Sequence, residues 1–118
     1  MKTAGFLFLA SAMLLPGLAV AGLRDPEWNP PARFDHTYSG RLMLTQLPQS
    51  KMQKACQQLF AKYGLKDTTS FQQHGCAKAF PDRCIVITID KTYMGATPDA
   101  VLRHELGHCN GWPGDHPG

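Results

Sequence analysis

This sequence has little glutamate: among 118 residues and nine carboxylates, only Glu27 and Glu105 are glutamates. Charge of either sign is sparse, at 18% of residues with a formal balance of +3. That is too little for a surface built to hold a polyanion, so no nucleic-acid partner is expected. The low charge does not signal disorder, because 43% of the residues are hydrophobic, enough to build a core. No Cys-x-x-Cys pair occurs among Cys56, Cys76, Cys84 and Cys109. This argues against a thiol–disulfide exchange motif and against a zinc ribbon, both of which need closely spaced thiolates. There is no internal repeat, no run of like charge and no sign of a second domain.

Nor is there an apolar run long enough to cross a bilayer. The apolar and small stretch 5–15 follows Lys2 and is broken by Pro16-Gly17 ahead of Ala19-Val20-Ala21. A spanning helix needs about 20 apolar residues, so residues 1–21 read as a secretory signal cleaved after Ala21. The first cysteine is Cys56, which leaves no lipid acceptor at the cleavage site. The expected protein is exported, periplasmic or secreted, with no membrane association once the leader is gone. In an oxidising compartment its four cysteines predict two disulfides.

Residues 22–40 contain Pro26, Pro30 and Pro31, which forbid a helix and suggest an extended arm over a body formed by 41–118, with Trp28 and Phe34 as its pins. Arg41–Leu47 is short, apolar and stopped by Pro48, as a strand would be. From Ser50, a candidate N-cap, Met52, Ala55, Cys56, Leu59, Phe60 and Tyr63 recur at helical spacing until Gly64. Strands are expected over 70–78 and 84–90, joined through Phe80-Pro81-Asp82-Arg83. A last helix starts at Thr97-Pro98-Asp99, which supply an N-cap, a first-turn proline and an acidic first turn, and ends near Asn110-Gly111. The order is β-α-β-β-α, an α+β domain with a small antiparallel or mixed sheet. Seven residues separate Cys76 from Cys84. A turn with an odd number of residues sets these two opposite one another, predicting Cys76–Cys84 and leaving Cys56–Cys109. One bulge residue reverses that parity, and the competing pairing is Cys56–Cys76 with Cys84–Cys109.

The last helix carries His104-Glu105-Leu106-Gly107-His108, the pattern H-E-x-x-H. Side chains at i and i+4 stand one above the other, so two imidazoles reach one ion while the carboxylate between them projects nearby. At about 100° per residue the two histidines fall within about 40° of each other, and Leu102 and Leu106 fall on the far side. One face packs and the other carries imidazoles; Cys109 falls near the leucines, as a disulfide half. Catalytic zinc sites normally have three protein ligands. Gly111 and Pro113-Gly114 let the chain reverse after the helix. His116 is the favoured third ligand because imidazole is the commoner one, and Asp115 is the alternative, or an acceptor for a ring N–H. His74 and His36 are more distant candidates.

The segment HELGHCNGWPGDH, 104–116, resembles the active-site helix and following turn of zincin metallopeptidases. Its HExxHxxG opening looks like the extended metzincin motif, although Gly114 stands where metzincins carry the third ligand and no methionine-containing turn follows. With Gly75-Cys76-Ala77 upstream and a late histidine, the chain also resembles small exported bacterial proteins that carry HExxHC near the C-terminus. The resemblance implies a zincin-like domain over 41–118, one zinc ion on His104, His108 and the third ligand, and Glu105 as general base. It further implies that an extended peptide or protein substrate adds to a strand near the metal helix, for which 85–90 is the candidate. Tyr93 and His74 are candidate donors to a tetrahedral intermediate, weighed against a packing role for each. Trp112 is expected as a lid or packing residue. The expected function is an exported zinc metallopeptidase; the alternative is a secreted binding module in which zinc is structural.

Overall fold

Seven residues rich in β-branched side chains, Arg83–Ile89, form the strand on which the other elements are laid. The structure, a computed structural model, describes residues 29–66 and 72–118; the expected leader 1–21, Trp28 and residues 70–71 of the expected 70–78 strand lie outside them, and that strand itself runs over Gly75–Ala79, residues 72–74 being outside it. The elements are β1 (Arg41–Leu47), α1 (Gln49–Lys62), β2 (Gly75–Ala79), β3 (Arg83–Ile89) and α2 (Pro98–Cys109). This is the expected α+β order, with a mixed three-stranded sheet arranged β1-β3-β2. β1 pairs with β3 in parallel, Leu44 beside Val86, and β2 pairs with β3 antiparallel, Cys76 beside Ile87.

Alternation along β3 places a helix on each face of the sheet. Ile87 and Ile89 join Cys76 and the buried stripe Met52, Cys56 and Leu59 of α1. Cys84 and Val86 pack with Leu102, Leu106 and Cys109 of α2. Each helix is stapled to the sheet, Cys56 to Cys76 and Cys84 to Cys109, with Cα separations of 5.9 and 5.7 Å. The pairing Cys76–Cys84 with Cys56–Cys109, favoured by turn parity, is therefore replaced by its competitor. The reason is the turn itself. Phe80 N donates to Arg83 O at 2.8 Å, closing a two-residue turn, Pro81-Asp82, instead of an odd one. Cys84 then lies opposite Ala79, and Cys76 opposite Ile87, so the two cysteines project from opposite faces of the sheet.

The helix starts differ in how they are capped. α2 starts as its sequence requires, with Thr97 Oγ1 accepting from Ala100 N at 3.1 Å and proline in the first turn. α1 follows β1 so closely that Pro48 occupies the N-cap, with φ −60° and ψ 148° and no side-chain cap. Ser50 sits inside the first turn and does not cap it.

The arm residues 29–40 lie along α2. Pro30 is buried against Gly107, where a Cβ would stand 2.5 Å from the proline Cγ. Asp35 accepts twice from Arg103 Nε, at 3.0 and 3.2 Å. Asn110 Nδ2 donates to the carbonyls of Phe34 and His36, at 3.0 and 2.6 Å. Among the described residues no helix is long and apolar enough to cross a membrane. The two disulfides fit an oxidising environment.

Candidate metal centre

The i,i+4 spacing on α2 sets the rings of His104 and His108 5.0 Å apart between centroids, with their Nε2 atoms 3.4 Å apart. Beyond Cys109 the helix is closed by Asn110, and Gly111 takes φ 106°, a left-handed conformation that glycine adopts without a Cβ penalty. The chain turns again at Pro113, whose carbonyl accepts from His116 N at 3.0 Å. His116, itself at φ 58°, thereby returns its Nε2 to 3.1 Å from that of His108 and 3.2 Å from that of His104. Asp115 is exposed and outside the group. His36 is exposed on the arm, its Nδ1 donating to Thr37 O at 3.1 Å. His74 lines the same cleft but is outside the group, with Nδ1 2.6 Å from Gln49 Oε1.

Three imidazole nitrogens in mutual contact pose a bonding problem that protons cannot solve. A hydrogen bond between two ring nitrogens needs one N–H and one lone pair, and a triangle cannot alternate donor and acceptor around three corners. At least one edge must be unfavourable unless a single cation accepts all three lone pairs. The spacing fits that solution: tetrahedral zinc with Zn–N of 2.0–2.1 Å sets ligand nitrogens about 3.3 Å apart, against the observed 3.1–3.4 Å. His108 is held in the ligand tautomer, because its Nδ1–H donates to Trp112 O at 2.8 Å and Nε2 faces the triad. Burial lowers the pKa of the His108 ring, outweighing the Trp112 hydrogen bond, and so favours the neutral form that metal ligation requires.

Glu105 is turned away from solvent, 4% exposed. Its space exists because residue 75 is glycine: a Cβ there would stand 2.6 Å from Val101 Cγ1 and 3.2 Å from Glu105 Oε2. Burial pushes the carboxyl up to about 8. Glu105, His104, His108 and His116 line one side of a cleft of about 610 Å³, and β2 lines the other. The assignment of 85–90 as a substrate-binding strand is overturned, since β3 is paired on both sides. β2 lines the cleft, and among the described residues no strand pairs with its outer edge. Tyr93 packs with the core cluster, 6.0 Å from the His74 ring between centroids, and does not line the cleft.

The sequence reading did not anticipate Gly75 as the space for Glu105, or Pro30 on Gly107. Gly75 stood out only as part of a Gly-Cys-Ala element, and Pro30 only as a helix breaker. Comparison with protein-family models, curated proteins and solved structures finds no match, so the functional reading rests on the geometry of this site.

Proposed function

We propose that this chain is an exported zinc-dependent metallopeptidase. The observation that carries the reading is the convergence of three histidine Nε2 atoms beside a buried glutamate, in a cleft whose opposite side is β2, an edge strand among the described residues. Each part has a use in peptide hydrolysis. The free edge of β2 offers backbone donors and acceptors to an extended peptide, and its small residues Gly75, Ala77 and Ala79 let that backbone approach closely. Zinc on the three imidazoles would supply Lewis acidity and lower the pKa of a coordinated water to about 7. The positive charge of the ion would favour the ionised form of Glu105 over the proton-bearing form that burial favours in the metal-free chain, and that carboxylate would accept the attacking water's proton and return it to the departing amine. Trp112 O holds His108 in the tautomer that presents Nε2.

The test is metal content and peptide hydrolysis of the disulfide-intact protein beside its Glu105→Gln variant. One zinc per chain in both, with hydrolysis lost by at least about 100-fold in the variant, supports the reading. Equal hydrolysis in both removes Glu105 from catalysis. Stoichiometric zinc without hydrolysis of any peptide or protein substrate would leave a secreted binding module with a structural ion.

A further inference from the structure

We propose that the chain associates with a second copy of itself through β1, the two strands pairing antiparallel about a two-fold axis at Leu44. β1 is the sheet edge away from the cleft. β3 pairs with one side of it and, among the described residues, no strand pairs with the other. Its side chains alternate between the two faces of the sheet, yet the helices pack over β2 and β3. Leu47 touches the α1 cluster, while residues 41–46 are all exposed. Leu42, Met43 and Leu44 are 38%, 43% and 41% exposed, whereas the other exposed large hydrophobics among the described residues, Leu65 and Met94, stand apart in sequence. Proteins that must stay single blunt such an edge with proline, an inward charge or a bulge. β1 has none of these between Leu42 and Leu47. Leu42 and Leu44 are exposed on one face of the strand and Met43 on the other, so apolar side chains flank the open edge on both faces.

The strand's own sequence is complementary to a second copy of itself, which is the occupant proposed. Antiparallel pairing about Leu44 sets it against the partner's Leu44, Met43 against the partner's Thr45, Leu42 against the partner's Gln46, and Arg41 against the partner's Leu47. Apolar side chains meet at the axis, no like charges face one another, and the two Arg41 guanidiniums lie at opposite ends of the ribbon. The contact is isologous and closes after two copies. It yields one six-stranded sheet, β2-β3-β1-β1-β3-β2, from two three-stranded ones. Each cleft, on the free edge of β2, then opens at an outer rim, so association leaves both accessible. The inference does not depend on whether the cleft hydrolyses anything.

Sedimentation equilibrium of the disulfide-intact protein across a concentration series, with amide exchange over 41–47, tests it. The expected result is a mass of two chains and exchange in β1 that slows as concentration rises. Leu44→Lys and Leu44→Glu are each expected to give single chains, because like charges then face one another at the axis; an equimolar mixture of the two restores the dimer. A wild-type protein that stays single up to about 1 mM, or a dimer that survives both substitutions, overturns the proposal. So does slow exchange in β1 that is independent of concentration, which would mean that another part of the same chain covers the edge. A mixture that fails to associate while the wild type dimerises overturns the axis at Leu44.

Discussion

Trp112 supports His108 in two ways: its carbonyl accepts the Nδ1–H at 2.8 Å, and its indole stacks on the imidazole, 4.9 Å between centroids and 11° from parallel. The indole Nε1 also donates to Pro117 O at 2.9 Å, tying down the tail that delivers His116. One buried side chain thus orients His108 on the helix and tethers the tail that carries His116. Trp112→Leu keeps the backbone carbonyl but removes the stack and the tether. It is expected to weaken zinc binding by about tenfold, in the range typical of groups that orient a ligand. Competition against a chromogenic chelator measures this, and unchanged affinity would reduce the ring to core packing.

His116→Ala is expected to weaken zinc binding by more than about 100-fold, beyond the loss that a supporting partner causes. Asp115→Ala should change it little, since that carboxylate is exposed and outside the triad. The reverse order, read by the same competition assay, would transfer the third-ligand role to Asp115.

In the metal-free protein Glu105 should make stability depend on pH. Its carboxyl is raised from 4.5 to about 8 by burial, so the folded state holds a proton that the unfolded chain has released. That contribution is fully present below 4.5 and is lost as pH rises through about 8. Urea unfolding in the presence of a chelator should show stability declining across this window, and Glu105→Gln should flatten the profile. A wild-type curve already flat there would contradict the burial of Glu105.

The arm responds to acid in the opposite sense. The Arg103 hydrogen bond and charge hold Asp35 below its ordinary 3.8. The stabilisation is therefore present above 3.8 and lost as pH falls through the lowered value. Both side chains are partly exposed, at 30% and 26%, so the pair contributes on the order of 1 kcal/mol or less. Asp35→Asn should remove this acid-labile increment and speed proteolysis within 29–40, whereas identical proteolysis at neutral pH would mean that Pro30 and Asn110 hold the arm without it.

Non-reducing peptide mapping should link Cys56 to Cys76 and Cys84 to Cys109. The bridged pairs are 20 and 25 residues apart in sequence, so replacing either pair with alanine should lower stability by about 3 kcal/mol. The two losses should differ at the metal. The second bridge fixes α2 to β3, and its removal should weaken zinc binding more. Equal effects on affinity would show that the arm and the core alone keep α2 in place.

The elements and the histidine pair were legible because their causes are local. Helical spacing alone brings His104 and His108 together, Thr97-Pro98 starts that helix, and β-branched alternation marks β3. His116 was legible in part, since Gly111 and Pro113 permit the reversal that its backbone completes. What lay beyond the sequence depends on register and long-range contact. Whether the hairpin turn holds two residues or three decides which faces Cys76 and Cys84 occupy, and a difference of one residue exchanges both disulfides. The sheet order made β2 rather than β3 the edge beside the histidine cluster. Asp35 and Arg103 are separated by 68 residues, and no local pattern links them. Chemistry carried within one helical turn was determined by the sequence by itself. The third imidazole's arrival, the glycine that admits Glu105 and the pairing of the cysteines were decided by tertiary structure, because each depends on which surfaces meet when the sheet and helices pack.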